Sequence, residues 1–171
     1  MPHELLGATT IAELLKDKFA SAYLEAGFWS STDDSTPDGG ENLDKNYSFR
    51  DISLDLFNEV KIRCALFLEK YQDMIVACDD WISNNRTTEY SALELAGHDF
   101  WLTSNGHGVG FWETGRWPQA VSDILDKASR EFGSIELYVG DDKQIYCYVG
   151  KNPTLQQLPD AIDFEYDGPT L

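Results

Sequence analysis

The chain has 171 residues, enough for one domain that buries roughly 70% of its unfolded surface. At 42% apolar and 13% aromatic residues it is too apolar for wholesale disorder. Thirteen Lys and Arg against 30 Asp and Glu leave a net charge of −17, which repels phosphate backbones, arguing against ordinary nucleic-acid binding unless basic residues cluster locally, and opposes binding to anionic membranes. The first residues lack a basic n-region followed by an apolar run, and no stretch approaches the ~20 apolar residues of a membrane span. Cys64, Cys78 and Cys147 are odd in number, form no CxxC pair and sit among apolar neighbours. Buried, reduced thiols in a cytoplasmic protein are the expectation.

The first helix is predicted from Thr10, whose spacing to Glu13 fits a capping box, to a stop at Gly27. Ile11, Leu14, Leu15, Phe19, Ala22, Tyr23 and Ala26 form its apolar face. Residues 28–50 then read as an acidic, solvated loop, whose stretch from Ser30 to Asn46 contains Pro37, Gly39 and Gly40 and sets Asp33, Asp34, Asp38, Glu41 and Asp44 against Lys45. A second helix is predicted from Ser53 to about Ile82, with a break allowed near Tyr71. The period then changes: Phe100–Thr103 and Val109–Trp112 read as two strands joined at Asn105-Gly106, a strong hairpin signal. A third helix follows Pro118, turns Val121, Ile124, Leu125, Ala128 and Phe132 inward and ends at Gly133. Ile135–Val139, a Gly140-Asp141-Asp142 turn and Gln144–Val149 form a second hairpin.

These elements predict an α+β domain over residues 1–150, in which two N-terminal helices pack on a ββαββ unit forming one four-stranded antiparallel sheet. Residues 151–171 form an acidic, proline-containing tail. In this register Phe100 pairs with Phe111 and Leu102 with Val109 on the core face. Trp101 lies opposite Gly110, and His98 opposite Glu113. The other face carries Trp101, Trp112, Tyr138, Tyr146 and Tyr148, a protein-binding surface wherever the helices leave it uncovered.

The block from Ala96 to Glu113, AGHDFWLTSNGHGVGFWE, resembles a recurring segment of short, uncharacterised tailed-phage and prophage proteins with the pattern AGHDFWLTxNGHGxGFW. In those proteins a helix and a strand pair follow, here Phe132 to Tyr146, so the resemblance covers about residues 96–146. Ser104 stands where the pattern has Arg, and Glu113 where it has Asp; if that Arg serves a site, this chain lacks it. The resemblance implies a phage-related, intracellular setting and brings no reaction with it.

His98, Asp99, His107 and Glu113 are residue types suited to a metal or acid–base site. A hairpin, however, would hold His98 several strand rises from His107. No nucleophile elbow or phosphate loop is present, and the sequence points to no catalytic residue, metal or cofactor. The favoured reading is an acidic, phage-type accessory protein that binds a basic surface of a host or viral protein, with DNA mimicry as one form of inhibition. The candidate interaction residues are Asp33, Asp34, Asp38, Glu41, Asp44, Trp101, Trp112 and His107. The alternatives are a small hydrolase or metal enzyme using His98, Asp99 and His107, and a structural component of a virion or replication assembly.

Overall fold

The structure is a computed structural model that describes residues 3–37, 39–85 and 89–164. Helix α1 (Ile11–Leu15) opens where predicted, with the Thr10 hydroxyl accepting from the Glu13 N–H at 3.1 Å. It does not run on to Gly27. Asp17 caps a new helix, α2 (Lys18–Ser30), by accepting from the Ala20 N–H. Gly27 lies inside α2, where its missing side chain makes room for the Trp101 ring.

The acidic segment is more ordered than a solvated loop. It forms a minimal antiparallel ladder of β1 (Thr32–Asp33) and β2 (Glu41–Asn42), followed by α3 (Leu43–Asn46), which buries Leu43 completely. Ser53 then caps the long central helix α4 (Leu54–Val76), which breaks before α5 (Asp79–Asn85).

The largest correction concerns residues 91–113. Ser91 and Glu94 make a reciprocal capping box that starts α6 (Ala92–Ser104), so Phe100–Thr103 are helical. Asn105-Gly106 ends this helix instead of turning a hairpin. The Gly106 N–H reaches the Thr103 carbonyl at 3.2 Å and the His107 N–H reaches that of Leu102 at 3.0 Å, the two bonds of a Schellman cap. Gly106 supplies the left-handed φ of +70° that this cap requires. Val109–Trp112 form turns, not a strand. The predicted four-stranded sheet is therefore replaced by two separate two-stranded sheets in a mostly helical α+β fold.

Helix α7 (Gln119–Phe132) and the hairpin of β3 (Ile135–Val139) and β4 (Ile145–Val149) lie where the sequence places them. The register runs from Ile135↔Val149 to Val139↔Ile145. Beside β4, Ile52 makes a parallel bridge to Ile145, and the Ser53 N–H donates to the Ile145 carbonyl. The described part of the tail docks on α4. Lys70 donates to the Leu155 and Leu158 carbonyls, Tyr71 to that of Pro159, and Leu158 is buried.

The core centres on Phe67 of α4. Its ring stacks on Phe100 at 4.2 Å and on Phe19 at 5.5 Å, with Phe111 and Phe132 about the same centre. Arg63, one turn earlier, is 2% exposed and has no carboxylate partner among the described residues. It donates to the Tyr23 hydroxyl and to the Phe132 and Gly133 carbonyls, where the negative end of the α7 dipole offsets its charge. Its guanidinium also lies 5.2 Å from the Phe132 ring centroid. All three thiols are held protonated by burial, Cys78 at about 12 and Cys147 at about 11.

Helices α2 and α6 approach each other closely at Gly97, where an added Cβ would collide with the Phe19 carbonyl oxygen and the Ala22 side chain. Gly108 has open space around it. Gly97→Ala should therefore cost about 2–3 kcal/mol by overpacking, while Gly108→Ala stays within about 0.5 kcal/mol. Denaturant melts of the two variants against the wild type measure this contrast.

Candidate functional site

Asp99, in the middle of α6, is fully buried. Its carboxylate is grasped by Arg116 through Nε at 2.7 and 2.9 Å and Nη2 at 2.6 Å, and by the Trp117 indole N–H at 2.7 Å. Burial alone would lower the Arg116 pKa, but the hydrogen bonds and charge of Asp99, with Glu113 3.8 Å away, raise it, so the guanidinium stays charged. Two further bonds seat the same segment: the Phe111 N–H donates to the Thr103 hydroxyl, and the Ser122 hydroxyl to the Phe111 carbonyl. Gly110 lies so close to Thr103 that a Cβ would meet its hydroxyl.

This fold-back builds one wall of a groove of about 360 Å³. Glu25 and Trp29, one helical turn apart on α2, and His98 and Leu102 on α6 line it as well. Tyr90 also lines it, and Val109 and Arg116 come from the returning segment. His98 Nε2 lies 3.1 Å from Glu25 Oε1, and because a carboxylate only accepts, Nε2 carries the proton in this contact. The Tyr90 ring meets the imidazole edge-on at 4.8 Å. Trp29 stands 57% exposed over the groove. The charged lining of this groove is Glu25 and Arg116; Asp99 lies buried behind Arg116, and Glu113 pairs with it at 3.8 Å.

The sequence-predicted interaction residues are dispersed. Asp33 is buried and accepts from the Ser35 N–H and hydroxyl, so it serves its own turn. Asp34 and His107 border a second cleft of about 270 Å³ between α2, the end of α6 and β3. Trp101 touches that cleft but is buried, its ring against Tyr23 and its indole N–H on Ser30. Glu41 and Asp44 are exposed beside Lys45, where Glu41 accepts from Asn46 and pairs loosely with Lys45. Trp112 is 44% exposed, and Asp38 lies outside the described residues.

The combination of His98, Asp99 and His107 is not brought together. His98 faces the first groove, Asp99 points inward at Arg116, and His107 borders the second cleft. Neighbouring positions on a helix diverge by about 100°, which separates His98 from Asp99. The predicted His98–Glu113 contact is replaced by His98–Glu25 and Glu113–Arg116. Among the described residues no group of three or more His, Cys, Asp or Glu could hold a metal ion, and no helix is long and apolar enough to cross a membrane.

The sequence reading missed Glu25, Trp29, Tyr90 and Arg116. A Trp on the polar side of an amphipathic helix, one turn after Glu25, was the available signal. The pairing of Arg116 with a residue seventeen positions earlier leaves no local pattern. No family model matches the chain, and no curated protein or solved structure matches it either.

Breaking a buried ion pair from one side strands the other charge. Asp99→Asn should cost about 3–5 kcal/mol, whereas His98→Ala, whose partner Glu25 is largely exposed, should cost under about 1 kcal/mol. Urea unfolding followed by tryptophan fluorescence compares the two.

Proposed function

We propose that this chain is an acidic accessory protein of the phage type that binds a basic surface of a host or viral protein, with the α2–α6 groove receiving a cationic side chain. Trp29 carries this reading. It is an aromatic anchor standing 57% exposed over a groove with Glu25 on its wall, in a chain of net charge −17. An indole beside a carboxylate suits Lys or Arg, because the ring face attracts the cation while the carboxylate neutralises it. The exposed acids Asp34, Glu41 and Asp44 add a field that speeds encounter with a basic partner. A charge of this sign and size suits competition with nucleic acid for a shared protein surface.

Affinity capture from host lysate at two salt concentrations tests the proposal. A basic protein should be retained at about 0.15 M salt and released near 1 M, where screening shortens to about 3 Å. Trp29→Ala should weaken its capture at least about tenfold. Retention indifferent to salt and to Trp29→Ala would overturn the reading.

A further inference from the structure

The outer face of the β3–β4 hairpin is covered by no other element that hydrogen-bonds or ring-stacks with it among the described residues. Side chains alternate along the strands: Ile135, Leu137 and Ile145 are buried, while Glu136, Tyr138, Tyr146 and Tyr148 point the other way. Tyr138 and Tyr148 stack at 4.5 Å and 19°, and Tyr138 and Tyr146 at 5.7 Å and 23°, making a ladder of three near-parallel rings. Tyr148 is 63% and Tyr138 36% exposed.

The surroundings of this ladder are anionic. Glu136 sits directly across from Tyr148 in the register. Asp142 accepts from the Tyr146 hydroxyl at 2.6 Å, and this bond with that from the Gln144 N–H holds its carboxyl below the usual range, so it remains charged. Asp55, at the start of α4, acts on Tyr138 and Tyr146 through its charge. None of these three carboxylates is in an ion pair among the described residues. Lys143, the hairpin's one base, occupies the turn.

We infer that the tyrosine ladder of the β3–β4 hairpin is a docking strip for an arginine-bearing segment of a partner protein. A planar guanidinium stacks on a phenol ring and forks onto a carboxylate at once, which the point charge of a lysine ammonium does not do. The aromatic spacing is set by the ladder before binding, so little side-chain freedom is lost on contact. The inference rests on the basic-partner reading and adds a second contact area, apart from the Trp29 groove, with a stated preference between the two basic residues.

The test uses the full chain and three labelled synthetic peptides of about nine residues, identical except that alternate positions carry Arg, Lys or Glu, followed by fluorescence anisotropy. The arginine peptide should bind at least about tenfold tighter than the lysine peptide, the glutamate peptide should not bind, and Tyr148→Ala should remove the arginine preference. Equal binding of both cationic peptides, unaffected by Tyr148→Ala but lost on Asp34→Asn, Glu41→Gln and Asp44→Asn together, would overturn the ladder and leave the basic-partner reading standing. Failure of both cationic peptides to bind would overturn both. Sedimentation showing a wild-type dimer that Tyr148→Ala dissociates would assign the ladder to a second copy of this chain and overturn the inference.

Discussion

A carboxylate with no access to solvent has to be fully coordinated by donors, and Asp99 obtains its donors from a segment seventeen and eighteen residues further along the chain. The clamp of Arg116 and Trp117 therefore fixes the path of everything between them and α6. The chain leaves the helix through the Schellman cap at Gly106, folds back over Thr103, inserts Phe111 beside Phe67 and Trp117, and enters α7 at Pro118. Without the ion pair this glycine-rich stretch would be anchored chiefly by the buried Phe111 and Trp117 rings.

The same clamp shapes the molecule's outer surface. Val109 and Arg116 reach the groove because the returning segment is tied down, and they face Glu25 and Trp29 because Gly97 and Gly27 let α2 and α6 approach closely. Charge is divided by depth. Asp99 and Arg63 are buried, satisfied respectively by Arg116 with Trp117 and by the carboxyl end of α7. The excess of carboxylates is spread over the exterior, where mutual repulsion is screened and a basic partner relieves it.

Much of the architecture was legible in local signals. Thr10 and Ser53 mark helix starts through side-chain caps, the α7 stripe from Val121 to Phe132 has helical period, and the strict alternation of residues 135–149 fixes the second hairpin and its tyrosine face. The failure at α6 has a physical cause. Nearly every residue from Leu95 to Ser104 is buried, so the helix lacks the polar face that would reveal a period of 3.6, and its apolar run reads equally well as a strand. Asn-Gly then reinforced the error, because the left-handed glycine that a tight hairpin needs is the one that closes a helix. The Ser91–Glu94 capping box was the countervailing signal. Asp99 was legible only as a reactive residue type, since its partners are distant in sequence, and the groove could not be seen until α6 was recognised as a helix facing α2.

The central claim is that residues 105–118 form one cooperative unit with the core through the Asp99 clamp, and native-state hydrogen exchange at the Phe111 amide tests it most directly. That N–H is buried and bonded to the Thr103 hydroxyl. The account predicts that it exchanges only through global unfolding, with the same opening free energy as the Phe67 and Leu68 amides in α4. A Phe111 amide that exchanges through local opening, orders of magnitude faster while the α4 amides stay protected, would contradict it.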